Sequence, residues 1–195
     1  MPGRLFLTRD LGLTALPQPP RHNIAPGQDV VTLTTQGSQM MRWGMIPVGR
    51  VNARGRPVME TIINARSETV FDKTAFADVK RCAVPADGWY EWTGEARRKT
   101  AWAISAKDGA LLYFAAIYDI WTAPGGTQLA QVATLTCPPN ADVRDIHHRM
   151  GVILTAAQLD IWLGDDQEAA TMLMRPMPDG TLQVAKADDV DWTAP

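Results

Sequence analysis

Four short stretches of this 195-residue chain place titratable or strongly hydrogen-bonding side chains beside loop-to-strand or loop-to-helix junctions. They are Met1-Pro2-Gly3-Arg4, Ile63–Thr69 (INARSET), Pro85–Trp92 (PADGWYEW) and Ile146–Met150 (IHHRM). Junctions of this kind let rigid elements hold side chains in fixed positions. Glu91 and His147 are residue types that move protons, and Asn64 carries both donors and acceptors for a reacting oxygen. Taken singly, each has a plainer reading. Asn64 could cap a following helix. Glu91, between two aromatics in a strand pattern, could sit on a solvated face. His147 and His148 are adjacent, so in a strand they would point to opposite sides and could not share a metal.

The elements around these stretches are mostly strands. Runs at Val30–Thr34, Met40–Ile46, Cys82–Pro85, Trp89–Thr93, Ala101–Ala106, Leu111–Ile117, Leu129–Thr136 and Gly151–Leu154 carry the β-type pattern, with a late strand around Thr181–Ala185. Lys107-Asp108-Gly109 reads as a hairpin turn. Val70, Phe71, Thr74 and Val79 predict a short amphipathic helix over Ser67–Val79. Thr155 reads as the N-cap of a helix over Ala156–Leu163, followed by a second around Gln167–Met174. Leu16–Pro26 holds four prolines and reads as an extended loop. Gly49–Pro57 reads as a loop bearing Arg50, Arg54 and Arg56. Strands and helices do not alternate regularly, which excludes a parallel doubly wound sheet. The class is α+β: a mainly antiparallel, barrel-like sheet with flanking short helices, in one domain spanning residues 1–195.

Composition narrows the function classes. Hydrophobic residues make up 46% and charged residues 21%, a globular balance. No run reaches the ~18 apolar residues of a membrane span, and the first residues lack a signal-peptide pattern. Two cysteines, Cys82 and Cys137, are too few for a disulfide framework and read as buried thiols in a reducing cytoplasm. No metal or other cofactor is called for. The net charge of −2 is unevenly spread: residues 1–100 hold 14 Lys and Arg against 9 Asp and Glu, residues 101–195 hold 5 against 12. A basic face for an anionic partner is compatible with this, and so is a chance clustering of solvated charge.

In order and local wording the segments resemble the SOS-response-associated peptidase family, also called abasic-site processing proteins. The matching words are MPGR (the family's MCGR), NIAPGQ at Asn23–Gln28, RWGMIP at Arg42–Pro47, INARSET, RCAVPADGWYEW at Arg81–Trp92, YFAAIYDIW at Tyr113–Trp121, TLTCPPN at Thr134–Asn140 and IHHRMGVIL at Ile146–Leu154. They span almost the whole chain. The resemblance implies a protein of the DNA damage response that processes or shields abasic sites in single-stranded DNA. It implies a catalytic set of Pro2, Asn64, Glu91 and His147, DNA contacts from Arg4, Trp43, Arg66, Asn140 and Arg149, and a monomer that needs no membrane. Trp43 is open to a second reading as core, and Arg50, Arg54 and Arg56 are further candidates for phosphate contacts.

The implied chemistry explains the residue types. An opened abasic sugar carries an aldehyde at C1′, and a free α-amine, with an ordinary pKa of about 7.7–8.0, is partly neutral near pH 7 and attacks it. Glu91 and His147 would shuttle protons, and Asn64 would hold the oxygen. The family's N-terminal cysteine closes onto the imine as a thiazolidine. Here Pro2 stands in that place, so this ring cannot form. Two readings remain: a module that binds DNA without a covalent step, or a Pro2 secondary amine that forms an iminium and acts as a lyase once Met1 is removed. Further departures are His148 for the usual Asp, Gly151 for the usual Pro, and Val48-Gly49 where another Trp is common.

Overall fold

Stretches rich in Val, Ile, Thr and aromatics, punctuated by Gly and Pro, favour extended chain that packs on both faces. In the computed structural model they form thirteen strands among the described residues. The structure describes residues 2–13, 16, 18–47, 54, 61–76, 78–95, 98–123 and 125–194. In chain order the strands are β1 (Arg4–Leu7), β2 (Arg21–Ile24), β3 (Asp29–Thr34), β4 (Gly37–Trp43), β5 (Asn64–Arg66), β6 (Lys80–Ala86) and β7 (Gly88–Thr93). There follow β8 (Thr100–Ala106), β9 (Leu112–Thr122), β10 (Gln128–Cys137), β11 (Met150–Gly151), β12 (Ile153–Leu154) and β13 (Leu182–Lys186).

One sheet has the order β13-β8-β7-β1-β2 and is antiparallel throughout. The other runs β11-β10-β4-β3-β6-β9-β12, with β5 added on β10. Because β9 pairs with β10 as well as with β6, this second sheet curls back on itself, barrel-like. The expected mainly antiparallel α+β class therefore holds, with two parallel exceptions, β10 on β4 and β10 on β5. The apolar sides of both sheets share a core that includes Trp43, Trp89, Phe114, Leu135 and Trp162. Two short helices, α1 (Leu159–Leu163) and α2 (Gln167–Met172), flank it. Trp162 anchors α1 by donating from Nε1 to the Cys82 carbonyl at 2.7 Å, and Arg81 donates to the α1-terminal carbonyls of Trp162 and Gly164.

Several local expectations are corrected. Residues 67–79 form turns and one 3-10 turn at Thr74–Phe76 rather than an amphipathic helix. The hydrogen bonds there span three residues (Thr69 N–H to Arg66 O, Asp72 N–H to Thr69 O), and Asp78 adopts φ +66°, which stops a helix. Val70 and Phe76 still reach the core; Ala77 lies outside the described residues. The proline-rich stretch contains β2, since the prolines flank Arg21–Ile24 rather than interrupt it and the strand lies at the sheet's edge. Lys107–Gly109 does turn the chain, with Gly109 at φ +74°, but β8 and β9 belong to different sheets, so no hairpin forms. Gly151–Leu154 splits into β11 on β10 and β12 on β9. Of the Gly49–Pro57 loop only Arg54 is described, and it is exposed; Arg50 and Arg56, the other expected phosphate contacts, lie outside the described residues.

Candidate active site

Strand register brings the amino terminus to the junction of the two sheets. In the β1–β7 pair Arg4 opposes Tyr90 and Leu5 opposes Trp89, so residues just before β1 run alongside Glu91. In the parallel β5–β10 pair Thr134 is the partner of Asn64, and farther along β10 Thr136 pairs with Gly151 of β11. Pro2 is buried between these elements. Asn64 Nδ2 donates to the Pro2 carbonyl at 2.7 Å, and Asn64 Oδ1 accepts from Thr134 Oγ1 at 2.6 Å. The opposite side of the ring faces Gly151, where an added Cβ would lie 3.6 Å from Pro2 Cγ. Asn64 thus belongs to a strand and holds the amino-terminal segment; the helix it might have capped does not exist.

Glu91 is also not on a solvated face. It shares a side of β7 with Trp89, which packs edge-on against Phe114, and only 4% of it is exposed. The opposite side of β7 is covered too, because Trp192 packs on Tyr90 and Trp92 with ring centroids 4.9 and 5.3 Å apart. Burial raises the Glu91 pKa above the ordinary carboxylate value, while the positive charge of the amino terminus and the Trp89 side chain pull it back down.

His147 leaves the turn over residues 141–146, with its backbone N–H bonded to Val143 O at 2.9 Å. Its Nδ1 accepts from the Arg149 N–H at 3.0 Å, so the neutral ring carries its proton on Nε2. On protonation Nδ1 has the Arg149 carbonyl at 3.2 Å as an acceptor. The His147 and His148 rings stack at 4.3 Å and 24°, on the same side, because the chain bends here instead of running as a strand. Burial, then the amino-terminal charge, then His148, lower the His147 pKa to about 4, against a smaller opposing effect of the Arg149 backbone. His147 and Glu91 both respond to the charge at the amino terminus. The structure therefore brings together Pro2, Asn64, Glu91 and His147.

The profile of the SOS response associated peptidase (SRAP) family matches residues 8–190. The chain belongs to the SRAP family. The abasic site processing protein YoqW of Bacillus subtilis is 34% identical over 180 residues, covering 88% of this chain and 77% of that protein. Mouse abasic site processing protein HMCES is 29% identical over 162 residues, covering 67% of this chain and 46% of its own length. A solved protein from Bacteroides thetaiotaomicron superposes with a TM-score of 0.75 at 25% identity, over 87% of this chain and 78% of that one. A protein from Bordetella bronchiseptica shares the fold, with a TM-score of 0.79 at 24% identity over 95% and 99%.

The residues expected to meet DNA divide sharply in this SRAP chain. Arg66 is exposed at the end of β5. Arg149 is largely buried, and its guanidinium grips the Glu68 carboxylate with both terminal nitrogens while also donating to the Thr136 carbonyl and to Thr136 Oγ1. Arg4 donates to Asn23 Oδ1 at 2.5 Å. Trp43 is a correction: it is 0% exposed and donates to the Ile63 carbonyl at 3.0 Å, so no base can stack on it. Asn140 is a second correction, 5% exposed, with Nδ2 shared between Asp142 and the Pro178 carbonyl. Both hold the fold around the site.

Neither thiol replaces the family's N-terminal cysteine. Cys82 and Cys137 are fully buried, and burial pushes the Cys137 pKa up to about 12 and that of Cys82 well above its ordinary value. Among the described residues no group of three or more His, Cys, Asp or Glu is placed to hold a metal ion, and no helix is long and apolar enough to cross a membrane. Sequence reasoning missed Thr134, Glu68 and Trp192. Glu68 lay within the INARSET word and Thr134 opens the TLTCPPN word, whereas nothing in the sequence marked Trp192 as a neighbour of β7.

Proposed function

We propose that this chain processes abasic sites in single-stranded DNA through the secondary amine of Pro2, exposed by removal of Met1. The relatives' names support the substrate class. The observation that carries the chemistry is the seating of Pro2, whose carbonyl is held by Asn64, beside the β7 strand that carries Glu91 and against Gly151, four residues after His147. Removal of Met1 turns an internal amide nitrogen into a nucleophile without a mobile linker. That pre-set orientation is where an intramolecular-like advantage arises.

The Pro2 nitrogen attacks C1′ of the opened sugar and forms the C–N bond. The former aldehyde oxygen takes up the proton shed by the attacking amine and a second proton from an acid, and leaves as water, giving a cationic iminium. Glu91, its pKa raised by burial, retains a proton to higher pH than an ordinary carboxyl and supplies it. The iminium acidifies C2′; the Glu91 carboxylate removes that proton and the electron pair expels the 3′ phosphate. Water then adds to the iminium and releases Pro2. His147, neutral with its proton on Nε2, donates a hydrogen bond to the departing oxygen. One Asn64 N–H is already given to the Pro2 carbonyl, so Asn64 positions the nucleophile as well as serving the substrate oxygen. In this reading residues 1–195 work as one domain and as a monomer, in the reducing cytoplasm that suits two buried, unpaired thiols.

The test uses untagged protein whose intact mass shows that it begins at Pro2, mixed with single-stranded abasic DNA. We expect a crosslink trapped only in borohydride and strand cleavage without it. Salt-sensitive binding without either product would leave a DNA-binding module and overturn the lyase reading.

A further inference from the structure

Arg149 presents an unusual division of labour. From Nη2 its guanidinium donates to fixed groups, the Thr136 carbonyl and Thr136 Oγ1 on β10. The same Nη2, together with Nη1, also donates to a carboxylate from a different segment, Glu68, through both of its oxygens. The two partners differ in freedom. The Arg149 side chain is 13% exposed and cannot leave, whereas the Glu68 side chain is 45% exposed and can turn to solvent. The planar fork of Arg matches carboxylate and phosphate alike, both presenting two oxygens in one plane. The pair also adjoins the reacting centre, because the Arg149 backbone N–H is the donor to His147 Nδ1, and exposed Arg66 pairs with Thr136 in the β5–β10 register.

We propose that Glu68 is a resident stand-in for a DNA phosphodiester on Arg149, displaced when the strand binds, and that it thereby sets how tightly undamaged single strands are held. The proposal rests on the DNA-processing reading of the site but concerns a residue with no part in the chemistry. Before DNA arrives, Glu68 occupies the two terminal nitrogens and keeps the guanidinium in its fork orientation. When a phosphate of the strand enters, it takes over the two N–H donors and Glu68 swings out, so each binding event is taxed by one broken charge-assisted pair. An undamaged strand gains only phosphate contacts and feels that tax in full. A strand with an abasic aldehyde also gains the bond to Pro2, which offsets it. Hydrogen bonding to Arg149 holds the Glu68 pKa down at about 2, so the carboxylate is ionised and competes at every working pH.

Measure binding of a fluorescent undamaged single strand by anisotropy over a salt series, for wild type, Glu68→Gln and Glu68→Gln/Arg149→Gln, alongside inorganic phosphate titrated by NMR. Glu68→Gln should bind the undamaged strand roughly three- to tenfold more tightly, since a partly exposed ion pair no longer has to be broken. The double variant should lose that gain and flatten the slope of log K against log salt by about 0.7, one single-strand phosphate contact. Glu68→Gln binding the strand no better than wild type, or worse, overturns the proposal and makes Glu68 a fixed brace for Arg149. If no form binds DNA but phosphate perturbs Arg149 in Glu68→Gln and not in wild type, the displaceable stand-in survives and the DNA reading falls. If neither probe distinguishes the variants while abasic DNA is still cleaved, the function stands and the stand-in falls.

Discussion

The pocket around Pro2 and the rim around Arg149 lie on the same strand, β10, yet they are built on opposite principles. In the pocket, Thr134, Asn64 and Pro2 form a line of short hydrogen bonds among half-buried or buried groups, and Glu91 is 4% exposed. On the rim, Arg66, Glu68 and His148 are exposed and the strongest contact is an ion pair. Two residues of β10, Thr134 and Thr136, serve the two regions: one orients a neutral amide, the other backs a cation. A polar group removed from water must keep all its partners, so the pocket tolerates little change. A charge at the surface exchanges partners at low cost, so the rim can adapt. The division suits a reaction in which an aldehyde must be fixed to a fraction of an ångström while the strand that carries it varies.

The comparison breaks first at Glu91. Glu91→Gln keeps the volume and removes the proposed proton carrier, so borohydride trapping with abasic DNA should slow by about 10²–10⁴-fold. Anisotropy on undamaged strands should barely change, because Glu91 lies behind the amino terminus rather than on the rim. An equal loss in both assays would erase the distinction between pocket and rim.

Thr134→Val is the next largest effect. It leaves Asn64 Oδ1 without its donor inside the fold, a cost of about 1–3 kcal/mol. For a chain of this length that lowers Tm by roughly 2–4 °C per kcal/mol. The amide is then free to flip and present oxygen to the Pro2 carbonyl, so the trapping rate should fall as well. Thr134→Ser restores the hydroxyl and should restore both. A normal rate in Thr134→Val with lowered Tm would show that the hydroxyl stabilises the strand pair without orienting Asn64.

How far the sequence reveals this arrangement depends on the range of the interaction. Alternating apolar runs expose most strands, since period-two patterning is local. The residues proposed to be catalytic were legible only as words in a family resemblance; Glu91 by its local pattern belongs on a wet face. Its burial comes from the face it shares with Trp89, which packs against Phe114 some 25 residues on, and from the amino-terminal segment that β1 lays beside β7; Trp192, a hundred residues away, covers only the opposite face. The same limit explains residues 67–79, where Val70 and Phe76 have helical spacing but Asp78 in the left-handed region and three-residue turns prevail. Charge asymmetry along the chain misleads for a related reason. The two sheets interleave early and late strands, β6 beside β9 and β10 beside β4, so sequence halves are not faces. Trp43 looked like a base-stacking platform because aromatic type says nothing about which side of β4 is covered.

Acid stability distinguishes the two regions by pH window. The ordinary histidine value is 6.5 and that of His147 in the fold is about 4, so the folded state favours the neutral ring. Its contribution is complete above pH 6.5, declines as pH falls, and is gone below about 4. Glu68 has an ordinary value of 4.5 and a folded value of about 2, so its contribution is intact above 4.5 and is lost toward pH 2. Tm followed against pH should therefore show His147→Gln flattening the slope between 6.5 and 4, and Glu68→Gln flattening it only below 4.5. Exchange of those windows would mean that burial beside the amino-terminal charge does not keep the His147 ring neutral.

The smallest effect belongs to Arg66. It is exposed at the end of β5, one residue from a core alanine and two from Asn64, so its loss should leave folding and the position of Asn64 unchanged. Arg66→Gln should weaken single-strand binding uniformly across sequences and reduce the salt slope by about 0.7, the signature of one lost phosphate contact. The trapping rate at saturating DNA should stay at the wild-type level. Combined with Glu68→Gln, the two changes should add in free energy if Arg66 and Arg149 take separate phosphates, because independent contacts couple weakly. Strong non-additivity would mean that one phosphate is shared between them, and the rim would then be a single anion site rather than a track along the strand.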